Sequence, residues 1–200
     1  MKRDVYFDNI RFILIVLVVL GHGMEIVSGK WISILYWFIY LFHMPAFIFI
    51  SGYFAGRQRQ LKIGNLFLQY LFFQTIYIIF EGFIDGTPFG KLAFKYTTPK
   101  WSLWFTFALI IWKLIIPYLS RLPMAAAISI SVLCALVAGF IPDINYRLSI
   151  SRDAVFFPFF VLGFYFKEKY IALIRKIQPE AGLLAFALSF VLFTNIHRVM

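Results

Sequence analysis

The sequence predicts an all-α protein, a polytopic bundle of about seven transmembrane helices, and three observations predict it. Of the 200 residues, 62% are apolar and 14% charged, against roughly half and a quarter in soluble domains, and the mean hydropathy is +0.84. A soluble fold of this size has too little interior to hide that much apolar surface. The apolar residues fall in continuous runs close to the ~20 residues that cross a hydrocarbon core of ~30 Å. They do not alternate as barrel strands do. The cations gather between the runs, so the excess of 19 Lys+Arg over 9 Asp+Glu reads as a topology signal and not as a nucleic-acid surface. Composition also excludes a disordered chain, a collagen and a disulfide-stapled domain. The single cysteine, Cys134, lies inside an apolar run and has no intrachain partner.

The first span is predicted near 10–28. Lys2 and Arg3 before the stretch from Phe12 to Leu20 imitate a secretory leader, but Asp4, Asp8 and Arg11 crowd that region and Gly-His-Gly-Met-Glu replaces a cleavage site. An uncleaved helix follows. Further spans are predicted near 31–55, 63–84, 101–119, 122–141, 154–170 and 181–197. The polar stretches 85–100 and 142–153, carrying Gly86, Pro88, Pro99 and Pro142, are predicted as connecting loops. No repeat or linker interrupts the chain, which reads as one domain over 1–200. With the N-terminus inside, ten loop cations fall on the inner side and seven on the outer. The dense clusters at Arg57–Lys62 and Lys167–Lys176 share the side of the N-terminus, which favours a cytoplasmic N-terminus.

Ionisable residues at mid-membrane cost about 2.5–3.5 kcal/mol on insertion scales, so each needs a reason. Arg11 and His22 are eleven residues apart, which returns them to nearly the same helix face with a rise of roughly 16 Å. Glu25, one turn above His22, is placed to orient the imidazole. Gly21 and Gly23 allow close approach of a ligand or another backbone. The plainer account has Arg11 snorkelling to the headgroups and His22 bonding a neighbouring helix. His43, in Phe-His-Met-Pro-Ala-Phe, falls within about 6 Å of the same depth, and the two imidazoles are expected to share a cavity. Pro45 is expected to break the helix there and leave carbonyls needing a polar partner, which His43 alone would satisfy. Lys113 reads as a snorkelling or interhelical cation, and Glu81 and Asp85 as solvated residues at a helix end. Three histidines and one apolar cysteine give no metal-ligand spacing, and no phosphate loop or nucleophile elbow is present. What remains is an intramembrane histidine reached past arginines, a general base beside a cationic mouth suited to phosphate-bearing ligands.

These residues carry a resemblance. Tyr6-Phe7-Asp8-Asn9-Ile10-Arg11, then ten residues, then Gly21-His22, resembles the Arg-x10-His signature of the membrane-bound acyltransferase-3 family. Phe42-His43-Met44-Pro45-Ala46-Phe47 running into Ser51-Gly52-Tyr53-Phe54, Trp101-Ser102-Leu103-Trp104-Phe105, and Phe157-Pro158-Phe159-Phe160 with Leu162-Gly163 resemble later family segments, in the branch similar to fucose O-acetylases. The resemblance implies an enzyme of the bacterial plasma membrane that takes an acyl group, usually acetyl, from cytoplasmic acyl-CoA to a hydroxyl of a cell-surface or lipid-linked glycan. It makes His22 and Arg11 the essential pair, with Glu25 beside them as a third catalytic candidate. Arg57, Arg59 and Lys62 stand in place of a cytoplasmic arginine motif that binds the CoA donor, though Lys62 and Gln69 depart from the usual residues. On the acceptor side the candidates are His43, Arg147 and Arg152, the two arginines serving equally well as interfacial cations. His22 would deprotonate the acceptor hydroxyl or carry the acyl group as an imidazole adduct, and Asp8 would pin Arg11. Family members have about ten helices, so this chain is expected to be incomplete at its C-terminus: a truncated product, a fragment, or a split-gene half with a partner supplying the missing helices. A non-catalytic remnant or subunit is the alternative, and a proton-coupled transporter a more distant one.

Overall fold

Asp4 begins the first helix: its side chain accepts from the Tyr6 backbone N–H at 3.1 Å, satisfying one of the donors a helix start leaves open. The computed structural model describes residues 4–57, 62–86, 96–141 and 149–199. Eight helices and no strand lie among them: α1 Val5–Met24, α2 Lys30–Ala55, α3 Ile63–Asp85, α4 Leu103–Leu119, α5 Met124–Phe140, α6 Ile150–Tyr165, α7 Glu168–Ile174 and α8 Pro179–Val199. Large apolar side chains such as Phe12, Phe72, Phe83, Leu133 and Phe140 are exposed on these helices, as suits a lipid-facing surface.

Among the described residues three helices, Val5–Met24, Lys30–Ala55 and Ile63–Ile84, are long and apolar enough to cross a membrane. The pair Glu168–Ile174 and Pro179–Asn195 would add a fourth if its 89° bend is one broken span. The seven predicted spans are thus matched only in part among the described residues. Helices α4 and α5 are apolar but have 17 residues each, about 25 Å long and short of a ~30 Å core. Trp101 and Ser102 before α4, and Leu122 and Pro123 before α5, belong to turns and not to the helices. The run predicted at 154–170 is divided between α6 and α7. Helix α6 begins at Ile150, so Arg152 and Asp153, expected in a loop, occupy its first turn. Pro45 does not end α2, which runs on to Ala55. Glu81, expected to be solvated, is paired with Lys100 Nζ at 2.6 Å.

The chain forms two compact units, one of Met1–Ile50 with Phe166–Met200 and one of Ser51–Tyr165. In the first, Phe38 of α2 packs its ring against Phe186, Phe190 and Phe193 of α8, with centroids 5.3, 4.9 and 5.6 Å away. Arg175, just past α7, pairs with Asp4 and stacks over the Tyr6 ring at 4.8 Å.

In the second unit, Trp112 of α4 is buried against Phe157 and Phe160 of α6 and donates its indole N–H to the Asp153 carbonyl at 3.2 Å. The last turn of α2 meets α6 at Gly52, where a Cβ would collide with the Phe160 carbonyl. One turn on, a Cβ at Gly56 would come within 2.8 Å of the Phe164 carbonyl oxygen. Two glycines four residues apart thus receive two carbonyls four residues apart, the small-residue packing that lets membrane helices touch through their backbones. A polar clasp holds residues 96–100 to α3: Tyr70 donates to the Tyr96 carbonyl at 2.6 Å, and buried Gln74 donates to the Thr98 carbonyl and accepts from the Lys100 N–H.

Candidate active site

Helix α1 is unbroken from Val5 to Met24, so Arg11 and His22 keep the helical spacing that puts both on nearly one face, separated by a rise of roughly 16 Å. Arg11 lies 4.0 Å from Asp8, one turn earlier. This is the pairing expected from their spacing, at the outer limit of an ion pair.

At the other end of α1, His22 stands in a cluster with three residues. Its Nδ1 is 3.4 Å from Glu25 Oε1 and 3.4 Å from the Tyr40 hydroxyl. The Tyr40 hydroxyl donates to Glu25 Oε1 at 2.8 Å, and Tyr36 donates to the same oxygen at 3.4 Å. Glu25 caps the end of α1, outside the helix, and the Tyr40 bond holds its carboxyl below the ordinary carboxylate range. Proton counting then assigns the imidazole. Tyr40 has one hydroxyl proton and gives it to Glu25, and an ionised carboxylate has none to give. Nδ1 of His22 therefore faces two acceptors, an arrangement that favours the tautomer protonated there and puts the lone pair of the neutral ring on Nε2.

His43 is buried on α2, and its Nδ1 contacts the Ile39 carbonyl at 2.7 Å. A carbonyl only accepts, so this nitrogen too carries the proton. The Tyr40 ring packs edge-on against both imidazoles, with centroids 6.3 Å from His22 and 4.9 Å from His43. The two histidines thus belong to one cluster with a tyrosine as the shared wall. A Cβ at Gly21 would come within 3.0 Å of the Tyr40 ring, so this glycine lets the ring close on α1. Gly23 has open space at its Cβ position.

The remaining candidates lie in the other unit or outside the described residues. Arg57 folds back on the end of α2, its guanidinium 3.5 Å from the Tyr53 ring centroid and donating to the Tyr53 carbonyl at 2.9 Å, where a cation favours the open carbonyls of a helix C-terminus. Lys62 is exposed just before α3, with a left-handed φ of 39°. Arg152 sits over the Trp104 ring at 5.2 Å. Arg59 and Arg147 lie outside the described residues. Among the described residues no group of three or more His, Cys, Asp or Glu is arranged to hold a metal.

Sequence reasoning missed Tyr36 and Tyr40. Their signal was faint but present: tyrosines at i and i+4 put two hydroxyls on one face of an apolar helix, one turn before His43.

Over residues 4–197 the chain matches the acyltransferase domain of the acyltransferase-3 family. It is 32% identical to the nodulation protein NolL of Sinorhizobium fredii (strain NBRC 101917 / NGR234) over 191 residues, covering 84% of this chain and 50% of the relative. It is 30% identical to the nodulation protein NolL of Mesorhizobium japonicum (strain LMG 29417 / CECT 9101 / MAFF 303099) over 191 residues, covering 84% of this chain and 48% of the relative. The chain spans about half the length of these curated relatives. No solved structure matches it.

Proposed function

Since this chain belongs to the acyltransferase-3 family, we propose that it works as an integral membrane O-acyltransferase, moving an acetyl group from acyl-CoA to a hydroxyl of a cell-surface carbohydrate. The observation that carries the reading is the cluster at the end of α1: a histidine whose Nδ1 faces a carboxylate, with that carboxylate held by a tyrosine.

In the proposed reaction, Nε2 of His22 takes the proton of the acceptor hydroxyl as its oxygen attacks the thioester carbonyl. The carbon–sulfur bond breaks, and the thiolate of CoA leaves with the proton from the imidazolium. Glu25 stabilises the imidazolium while it exists and keeps the ring oriented through Nδ1, as an orienting carboxylate does in a hydrolase triad. The other route transfers the acyl group to Nε2 first and then to the acceptor. Arg11, roughly 16 Å down the same helix face, holds the phosphates of the donor, and Arg57, Arg59 and Lys62 stay further donor candidates on the strength of the sequence resemblance alone. On the acceptor side, His43, Arg147 and Arg152 are candidates carried from the sequence alone. The protein would lie in a bacterial plasma membrane with its N-terminus in the cytoplasm.

Membranes containing the chain, incubated with acetyl-CoA labelled in the acetyl group, should pass label to glycan. His22→Ala should reduce this by about 10²–10⁴-fold, the contribution of a positioned base. Equal labelling by the wild type and the variant would refute the role of His22. The alternative, a subunit without catalysis of its own, predicts no His22-dependent label from folded, inserted protein.

A further inference from the structure

A cleft of about 290 Å³ opens between the end of α1 and the first two turns of α2, with Met24, Glu25, Ile32, Ser33, Tyr36 and Trp37 among its walls. It lies directly beside the candidate base, because Glu25 both lines the cleft and faces His22 Nδ1 at 3.4 Å. Its polar groups are a carboxylate and two hydroxyls, and its largest ring, Trp37, is more than half exposed. Tyr36 meets Trp37 edge-on, with centroids 5.4 Å apart, so two aromatic rings turn a corner at the cleft.

Size and charge narrow the occupant. Small-molecule sites usually run from about 300 to 1,000 Å³, so this cleft takes one ring and not a chain of them. A carboxylate accepts hydrogen bonds from hydroxyls, Ser33 and Tyr36 offer more, and an indole suits an apolar C–H face. Glu25 is the charged residue in the lining, and the hydrogen bond from Tyr40 keeps it anionic at neutral pH. An anionic wall opposes a carboxylate or phosphate ligand. The cationic counterpart, Arg11, is roughly 16 Å down α1 from His22, so two ligands of opposite electrostatic character would reach the histidine from opposite ends of one helix.

We infer that this cleft is the acceptor subsite, shaped for a single neutral sugar ring and discriminating against acidic sugars, with Trp37 and Ser33 as its specificity-determining residues. The inference rests on the proposed acyl transfer for what happens next, but not for the binding itself. It moves the first contact of the acceptor from Arg152, which is occupied with the Trp104 ring, to the α1–α2 turn.

Binding can be read without turnover. The full chain in lipid nanodiscs is oxidised with N-bromosuccinimide, and each tryptophan is followed by peptide mass spectrometry. The probes are the methyl glycosides of glucose, galactose and fucose, and methyl glucuronide and galacturonide as acidic counterparts. At least one neutral glycoside should slow oxidation of Trp37 about threefold or more, while exposed Trp31 and Trp101 oxidise as before. The matching uronide should bind about tenfold more weakly, Glu25→Gln should remove that difference, and Ser33→Val should remove the protection. No protection by any neutral glycoside, equal protection by the uronides, or protection by tetramethylammonium alone would overturn the inference. Protection of Trp37 without His22-dependent acetyl transfer would refute the proposed chemistry and leave the subsite standing.

Discussion

The Tyr40 hydroxyl donates a 2.8 Å hydrogen bond to Glu25 across fifteen residues of chain, tying the turn after α1 to the middle of α2. That one bond decides the proton inventory around His22. It uses the tyrosine's only proton, keeps the carboxylate ionised, and leaves Nδ1 of His22 as the donor.

Replacing Tyr40 by Phe retains the ring wall between the two histidines and removes only this bond. Hydrogen bonds to charged groups are worth about 1.5–3 kcal/mol, so His22-dependent acetyl transfer should fall about 10–100-fold. Circular dichroism should be unchanged. Full transfer activity in the variant would mean that Glu25 needs no help from Tyr40.

Gly52→Ala should destabilise the second unit, because its Cβ collides with the Phe160 carbonyl and backbone cannot move aside as a flexible side chain can. Overpacking usually costs about 1–3 kcal/mol, and a backbone clash belongs at the upper end. Gly64→Ala, with open space around the new methyl, is the control and should be neutral or gain up to about 1 kcal/mol from helix propensity. Thermal unfolding in detergent compares the two. Equal midpoints would show that α2 and α6 do not meet there.

Gln74→Leu preserves volume on α3 but removes its hydrogen bonds to the Thr98 carbonyl and the Lys100 N–H. Each lost hydrogen bond at these part-buried groups costs about 0.5–1.5 kcal/mol. The segment before α4 should therefore loosen, and amide hydrogen exchange at 96–100 should rise while α5 and α6 stay protected. Unchanged exchange there would count against the clasp.

Arg175→Ala removes a partner of Asp4 and of the Tyr6 ring, yet both charged side chains are well exposed. Exposed ion pairs contribute about 0.2–1 kcal/mol, so the loss of stability should be small. Its visible consequence should be faster proteolysis before α1. A large global loss would show that the contact matters beyond its exposure.

Much of the fold and part of the site were legible in the sequence. The apolar runs located the longer helices among the described residues but not the short α7, and the eleven-residue spacing put Arg11 and His22 on one face, because a helix bonds to itself within four residues and its periodicity is written locally. Glu25 beside His22 was readable for the same reason. Helix ends were less legible: hydropathy continues through Trp101 and Leu122, where α4 and α5 have not yet begun, and the charged triplet Lys167-Glu168-Lys169, which marks the break between α6 and α7, was absorbed into one apolar run. At Pro45 the predicted span of 31–55 holds, since α2 runs from Lys30 to Ala55 with the proline inside it.

The sequence by itself determined a chain of apolar helices with a histidine, an arginine and a carboxylate spaced along the first of them. Only the tertiary structure decided that Tyr40 closes on Glu25 and His22, that Tyr36 and Trp37 wall a cleft beside them, and that Gly52 receives the Phe160 carbonyl. Those contacts depend on how each helix is rotated and crossed against its neighbour. That choice is made by the whole packed surface and not by any stretch of chain short enough to carry a pattern.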